Sequence, residues 1–191
     1  VASFSGVRPL YDDKAGSAAA TTRDYVLTCE DDAGVAPVLN VFGGKITTYR
    51  RLAEQALEKL APWFPDMGPC WSKTESLPGG HFQLAERDGL PDRLMTEHAY
   101  LHRDWAERLV RAYGMDAFSM LAGTKDIDDL GVCFGGTLYA REVDWLRQYE
   151  WAMTADDILW RRSKMGLVLD EDAAARLTSW LAHASPVQDV A

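Results

Sequence analysis

Cysteine, long apolar runs and positive charge are all scarce in this sequence of 191 residues. Its three cysteines, Cys29, Cys70 and Cys133, are far apart and odd in number, so they predict neither a disulfide framework nor a cysteine metal site. No apolar run approaches the roughly 18 residues needed to span a bilayer. The net charge of −9 argues against nucleic acid as a partner, because proteins that bind it usually present a basic face.

Several familiar catalytic motifs are missing too. The sequence has no Gly-x-Gly-x-x-Gly, no P-loop and no Gly-x-Ser-x-Gly, and it offers no obvious general acid–base pair. His98 and His102 are four residues apart but lack the order of a zinc motif, so we expect surface or boundary histidines and no metal site. The acidic stretch that begins at Asp126 lacks the spacing of a calcium loop, and we expect a solvated loop there.

The most informative stretch runs from Val38 to Arg50. An apolar run stops at Gly43 and Gly44, and a helix-forming run follows, which predicts a strand, a tight glycine turn and the first turn of a helix. A helix N-terminus offers unpaired N–H groups and partial positive charge, and glycine lets another molecule approach the backbone. Lys45 adds a full charge. The stretch suits an anion or the edge of an electron-rich ring, and an ordinary threonine-capped turn is the simpler alternative.

The first third of the chain predicts a small β structure and one helix. Two β-like runs, Arg23–Glu30 and Pro37–Phe42, flank a turn signal and most simply form an antiparallel hairpin. A helix should run from about Ile46 to Ala61, with an apolar face that includes Ile46, Tyr49 and Leu57. It should end at the prolines that follow.

The remainder reads as mostly helical. Residues 62–82 are rich in Pro, Gly and Trp, and we expect a domain boundary near Gly79 and Gly80. The predicted helices are Pro91–Tyr100, His102–Tyr113, Ala117–Ala122, Leu138–Glu150, one from the N-cap Thr154 to Gly166, and one capped by Asp170 that runs to about His183. Residues 126–136 should form an acidic loop. The expected fold is α+β: a β hairpin in residues 1–62, a linker in 63–82 and a helical domain in 83–191.

Three isolated cations lie in the β part, namely Arg8, Arg23 and Lys45. If they converge, they form a small basic pocket in an acidic protein. A phosphate monoester would suit such a pocket, because arginine grips it with two hydrogen bonds and lysine adds a point charge.

Several segments together resemble a known family. Ser5–Leu10, Thr22–Tyr25 and Phe42–Arg50 closely resemble the C-terminal part of the FAD-dependent, quinone-linked (aerobic) glycerol-3-phosphate dehydrogenases. Leu138–Val143 and Thr154–Arg162 look like the helical C-terminal domain of the same family. The resemblance covers nearly the whole chain, and the Gly-Gly-Lys-Ile-Thr-Thr-Tyr-Arg and Asp-Ile-Leu-Trp-Arg-Arg runs are its most specific parts.

The resemblance implies an activity and a site. The activity is oxidation of sn-glycerol 3-phosphate to dihydroxyacetone phosphate, by hydride transfer to FAD and electron transfer from FAD to quinone. Arg8 and Lys45, joined by Arg23, are implied to line the substrate site. Gly44, Lys45, Ile46 and Thr47 are implied to lie along the isoalloxazine edge, with the helix N-terminus facing it.

The resemblance also implies a setting for the chain. It implies a protein that is cytoplasmic and peripheral to the inner membrane, and it is compatible with a homodimer. The family's dinucleotide fingerprint and general base are expected in a half that this chain lacks, and Val1 directly precedes a structured-looking segment. We therefore expect a fragment that is inactive alone and binds FAD weakly or not at all. The alternative is a stand-alone helical interaction module that binds a partner protein or a membrane surface.

Overall fold

The structure, a computed structural model, describes residues 5–7, 11, 12, 14, 16, 23–31 and 35–184. The chain divides into two compact units, Val1–Glu75 and Ser76–Ala191. The first contains a strand pair and a helix and the second is mainly helical, which confirms the α+β prediction. In the described part of the chain, no helix combines the length and the apolar character that crossing a bilayer requires.

The first unit is a β hairpin followed by a helix. Strand β1 (Tyr25–Glu30) pairs antiparallel with β2 (Val38–Gly43), in a register that places Tyr25 opposite Gly43, so the predicted hairpin is confirmed. A 3-10 turn, Ile46–Thr48, leads directly into α1 (Tyr49–Leu60), which packs against β1. The predicted first helix is therefore also confirmed.

The first unit has no closed core within its described residues. Helix α1 half-buries Leu52, Ala56 and Leu60. The predicted apolar face was partly wrong, because Tyr49 and Leu57 are exposed. None of the residues described between positions 5 and 75 is fully buried, since a two-stranded hairpin is too small to cover more than one side of a helix.

The second unit contains most of the secondary structure and all of the described buried core. Its helices and strands are α2 (Leu90–Glu97), α3 (Arg103–Tyr113), α4 (Asp116–Leu121), β3 (Cys133–Gly135), β4 (Leu138–Tyr139), α5 (Ala140–Glu150), a π-helical segment (Asp157–Arg162) and α6 (Glu171–His183). Short 3-10 turns lie at Leu84–Gly89, Asp128–Leu130 and Met165–Leu167. The largest fully buried side chains are Leu94, Leu109, Met120, Leu130, Phe134, Leu138, Leu146, Ile158 and Leu177.

A second, very small hairpin contradicts two predictions in this unit. Strands β3 and β4 pair antiparallel, so residues 126–136 are not simply a loop and α5 begins at Ala140 rather than Leu138. Gly135, the last residue of β3, and Gly136, the first residue of the turn, have φ values of +141° and +52°, which favour glycine. The hairpin forms here because the side chains on either side of that turn, Phe134 and Leu138, are both fully buried.

The helix predicted from Thr154 to Gly166 is shorter than expected. The π-helical turn that ends at Arg162 is marked by the bond from Ser163 N to Ile158 O, 3.0 Å. Lys164 then takes a left-handed conformation at φ +60°, which stops the helix. The predicted cap of the last helix is confirmed, because Asp170 Oδ1 accepts from Ala173 N at 2.8 Å.

Candidate functional site

The glycine turn after β2 has the backbone that its sequence predicts. Gly43 and Gly44 have φ values of +68° and +103°, and Lys45 is extended. Thr48 closes the turn, because both its N–H (3.0 Å) and its hydroxyl (2.9 Å) donate to the carbonyl oxygen of Lys45. A Cβ on Gly44 would make only ordinary contacts with Tyr25 and Leu52, so the positive φ is what requires glycine there.

The residues that follow the glycine turn are exposed to solvent. Lys45 and Thr47 are exposed, and Ile46 is 89% exposed. Among the described residues, no carboxylate pairs with the ammonium group of Lys45. The first turn of a helix leaves its N–H groups without intrahelical acceptors, so Ile46 and Thr47 present backbone donors beside an available cation.

The hairpin register brings Arg23 to the same end of the sheet as Lys45. Tyr25 lies opposite Gly43 in an antiparallel pair, so the residues before Tyr25 run alongside those after Gly43. Arg23 is exposed. Arg8, the third predicted substrate ligand, lies outside the described residues. The structure thus places Arg23 and Lys45 at one sheet end.

A small pocket of about 240 Å³ lies at this end of the unit. It is lined by Asp24, Tyr25, Thr48, Arg51 and Gln55. The phenol of Tyr25 donates to Gln55 Oε1 at 2.8 Å, which joins β1 to α1. Sequence reasoning missed Arg51, although positions 48, 51 and 55 recur at helical spacing and could have indicated a shared face.

The turn fits the edge of a flavin ring on three counts. Gly44 adds no side chain at a backbone position that requires glycine, the first-turn N–H groups of Ile46 and Thr47 are available as donors, and these residues are exposed. The partial positive charge of the 12-residue helix α1 reinforces this fit. Gly44, Lys45, Ile46 and Thr47 could therefore hold such a group, and Lys45 with Arg23 could hold an anion next to it.

The two histidines considered as metal ligands have local partners. His98 is buried, and its Nδ1 lies 3.3 Å from the hydroxyl of Thr124. His102 caps α3 by accepting from Trp105 N at 3.3 Å. Across the residues that the structure describes, no three His, Cys, Asp or Glu side chains group in a way that could hold a metal ion.

The acidic loop has an internal order. Asp129 accepts from the backbone N–H of Lys125 at 2.7 Å and of Asp126 at 3.3 Å, and these bonds hold the pKa of its carboxyl below the usual range. The loop carboxylates therefore fix the backbone of their own turn.

The basic residues near Arg161 also have partners close to them in the sequence. Arg161 pairs with Asp157 at 3.0 Å, Arg162 donates to the carbonyl of Glu150 at 2.9 Å, and Lys164 donates to the carbonyl of Trp160. Cations are favourable where helical carbonyls are left unpaired.

A buried charged network lies inside the second unit. Arg108 grips Glu142 with two bonds, Nη1 to Oε1 at 2.7 Å and Nη2 to Oε2 at 2.6 Å, and Tyr113 donates to Oε1 at 2.6 Å. Burial, with the adjacent Glu142 charge, raises the pKa of Tyr113, so its hydroxyl stays a donor. The periodicity of the sequence cannot predict that these residues contact each other. Their hydrogen bonds join α3 to α5.

Relatives that are named as dehydrogenases match almost the whole chain. The chain is 47% identical over 184 residues to the glycerol-3-phosphate dehydrogenase of Pseudomonas aeruginosa, covering 96% of this chain and 36% of that protein. It is 45% identical over 178 residues to the aerobic glycerol-3-phosphate dehydrogenase of Escherichia coli, covering 93% and 35%. It is 43% identical over 185 residues to the D-erythritol 1-phosphate dehydrogenase of Brucella abortus, covering 97% and 37%. The chain spans about a third of the length of these curated relatives.

A family model matches most of the second unit. It is described as the C-terminal domain of alpha-glycerophosphate oxidase, and it aligns with residues 70–184. The glycine turn and the cations of the first unit lie before this range, so the family match bears on the helical unit and not on the candidate site. The chain belongs to the family of the C-terminal domain of alpha-glycerophosphate oxidase.

Proposed function

We propose that this chain is the C-terminal part of an FAD-dependent glycerol-3-phosphate dehydrogenase that oxidises sn-glycerol 3-phosphate to dihydroxyacetone phosphate. The observation that carries the proposal is the 45–47% identity to two glycerol-3-phosphate dehydrogenases over more than nine-tenths of the chain. That similarity includes both units. It therefore favours a segment of a dehydrogenase over a stand-alone helical module that binds a partner protein or a membrane surface.

In this proposal, cations of the first unit bind the substrate phosphate. Lys45 and Arg23 lie at one end of the hairpin, and Arg8 is the third proposed ligand. Arginine contributes paired hydrogen bonds and lysine a compact charge, which together suit a phosphate dianion. The protein is acidic overall, so these cations would provide a local attraction for an anion that the net charge of the chain does not.

The same turn would hold the edge of the flavin. FAD, when bound, supplies the acceptor for the hydride that leaves C2 of the substrate. Gly44 would let the ring approach the backbone, and the N–H groups of Ile46 and Thr47 would donate to its polar edge. The N-terminus of α1 would favour negative charge there. We assign no general base to this chain.

The relatives differ in the polyol that their substrates contain. D-Erythritol 1-phosphate dehydrogenase is 43% identical to the chain, only slightly less than the two glycerol-3-phosphate dehydrogenases. The substrates in the names of these enzymes are both phosphorylated polyols, so the phosphate ligands proposed above would serve either one. Oxidation of D-erythritol 1-phosphate is therefore a second candidate function.

The test is steady-state kinetics on the full-length enzyme with both polyol phosphates and a soluble quinone analogue as acceptor. We expect a higher kcat/KM for sn-glycerol 3-phosphate, and a higher value for D-erythritol 1-phosphate would select the second candidate. Lys45→Ala should raise KM strongly, because losing one partner of a charge-assisted contact that becomes desolvated when the substrate phosphate binds costs about 2–5 kcal/mol. Lys45→Arg should restore activity only in part, because a planar guanidinium differs in shape from an ammonium group. Lys59→Ala, an exposed lysine in the last turn of α1, is the matched control and should behave as wild type.

The proposed acceptor also suggests a location. Quinone is dissolved in the bilayer, so we propose that the whole enzyme is cytoplasmic and binds the inner-membrane surface peripherally, with a homodimer as its proposed assembly. Membrane fractionation followed by a high-salt wash would test this location, and sedimentation would test the assembly. An enzyme that stays in the supernatant at low salt and reduces no quinone would contradict the proposed acceptor.

A further inference from the structure

A cleft of about 570 Å³ lies within the second unit, and all of its lining residues belong to that unit. One wall is the segment around Gly79 and Gly80, and another is the end of α3. Its volume is in the range of sites that bind small molecules. None of the roles described above uses it.

The shape of the cleft is fixed by a close approach of two backbone segments. Gly79 and Gly114 have φ values of +73° and +57°, and Met115 N donates to the carbonyl of Gly79 at 2.8 Å. A Cβ on Gly79 would lie 2.1 Å from the carbonyl oxygen of Tyr113, and one on Gly114 would lie 2.2 Å from that of Gly79. Only glycine permits this contact, so the wall is preformed rather than adaptable.

The arginines around the cleft differ in whether they have a carboxylate partner. Arg103 is engaged by Glu107 at 2.7 Å and by Asp92. The guanidinium groups of Arg87 and Arg111 have no carboxylate partner among the residues that the structure describes. Three arginines and two carboxylates line the cleft, so cations outnumber anions in its lining although the net charge of the chain is −9.

The lining also has an apolar component. Phe82, Pro91 and Val110 contribute hydrocarbon surface next to the arginines. A ligand that satisfies both parts has an anionic group to accept from the guanidinium groups and an apolar body to cover this surface.

We propose that this cleft is a binding site for a small organic anion, a phosphate or carboxylate carried on an apolar body. Arg87 and Arg111 would hold the anionic group, Phe82, Pro91 and Val110 would cover the apolar body, and the preformed Gly79–Gly114 wall would fix the shape of the site. The site is separate from the substrate and flavin roles proposed for the first unit, so either proposal can fail without the other.

The experiment is a titration of the purified chain, followed by two-dimensional amide NMR spectra, in a Lys45→Ala background that disables the candidate site of the first unit. The probes are phenyl phosphate, benzoate, phenol and inorganic phosphate. We expect saturable chemical-shift changes at the amides of Gly79, Gly80 and Gly114 with phenyl phosphate or with benzoate. The probe that binds more tightly identifies the preferred anionic group. Phenol should give none, and inorganic phosphate should bind more weakly than phenyl phosphate.

Substitutions then connect binding to the two arginines. Arg87→Gln and Arg111→Gln should each weaken binding on the order of tenfold, the usual effect of losing a charge-assisted hydrogen bond. Arg161→Gln, which removes an exposed arginine paired elsewhere, is the matched control and should leave affinity unchanged. The proposal is overturned if neither anion gives saturable shifts at these glycines, if phenol gives the same shifts, or if the double arginine variant binds as wild type.

Discussion

Replacing Glu142 by alanine should destabilise the helical unit more than any other single loss of a charge pair in the described part of the chain. Glu142 is 4% exposed and accepts bonds of 2.6–2.7 Å from Arg108 and Tyr113. Its removal leaves a guanidinium and a phenol without their partner in a poorly solvated place. Breaking such a buried pair from one side costs about 3–5 kcal/mol, because the remaining charge stays uncompensated.

The assay is urea unfolding followed by far-ultraviolet circular dichroism, to which the second unit contributes most helix. A loss of about 3–5 kcal/mol with a slope of about 1–3 kcal/mol/M lowers the midpoint by more than about 1 M. Glu97→Gln is the control, since its pair with Arg93 is exposed and such pairs contribute roughly 0–1 kcal/mol. The triple change Glu142→Leu, Arg108→Met, Tyr113→Phe should recover most of the loss, because it removes the carboxylate, the guanidinium and the phenol together and leaves only the half-buried Thr137, which accepted from Arg108, to bond with water. A folded Glu142→Ala variant that loses no more than the control would refute this reasoning.

Three further outcomes can be measured on the same chain. The pKa of Asp157 is lowered from its usual 3.8 to about 2 by the hydroxyl of Thr154, by backbone N–H groups and by Arg161, so Asp157→Asn should lower the urea midpoint near neutral pH. The difference in midpoint between the variant and the wild type should shrink as pH falls from 4 towards 2. Gly114→Ala should lower the melting temperature more than Gly123→Ala, because both variants place a Cβ at positive φ but only the Cβ at position 114 would lie 2.2 Å from a backbone oxygen. Equal decreases in the melting temperature would show that backbone strain at positive φ accounts for the whole effect. The purified chain should show no flavin absorbance, since it contains no dinucleotide fingerprint, and a yellow protein with stoichiometric flavin would contradict this.

The local structure near the candidate site could be predicted because short-range physics fixes it. Alternating β-formers with a turn signal between them indicate β1 and β2, and only the Tyr25–Gly43 register had to come from the structure. The glycines at positions 43 and 44 take the positive φ that a tight turn requires. The helix that follows begins and ends close to its predicted limits, since its apolar spacing and its prolines are both local signals.

What could not be predicted depends on contacts between distant positions. Strands β3 and β4 contain three and two residues, too few for any period to show. Glu142 and Arg108 are 34 residues apart, and only the packing of α5 on its neighbours makes them partners. The cleft beside Gly79 likewise requires that segment to meet the end of α3.

The first unit has no buried core among its described residues, and this bears directly on the residues of its candidate site. Ile46, Tyr49 and Leu57 are exposed on the predicted apolar face of α1, and Val41 and Phe42 are exposed on β2. Scattered exposed apolar residues are ordinary, but here they accompany a unit in which no described residue is buried. A hairpin and one helix with so little burial are marginally stable in water, so their geometry should depend on apolar surface supplied from outside the described residues. Short-range interactions set the backbone of the turn that carries Lys45, and that surface would hold the turn in place. Kinetics on the full-length enzyme therefore test the substrate ligands, whereas the isolated chain is suited to tests of the helical unit, which has its own core.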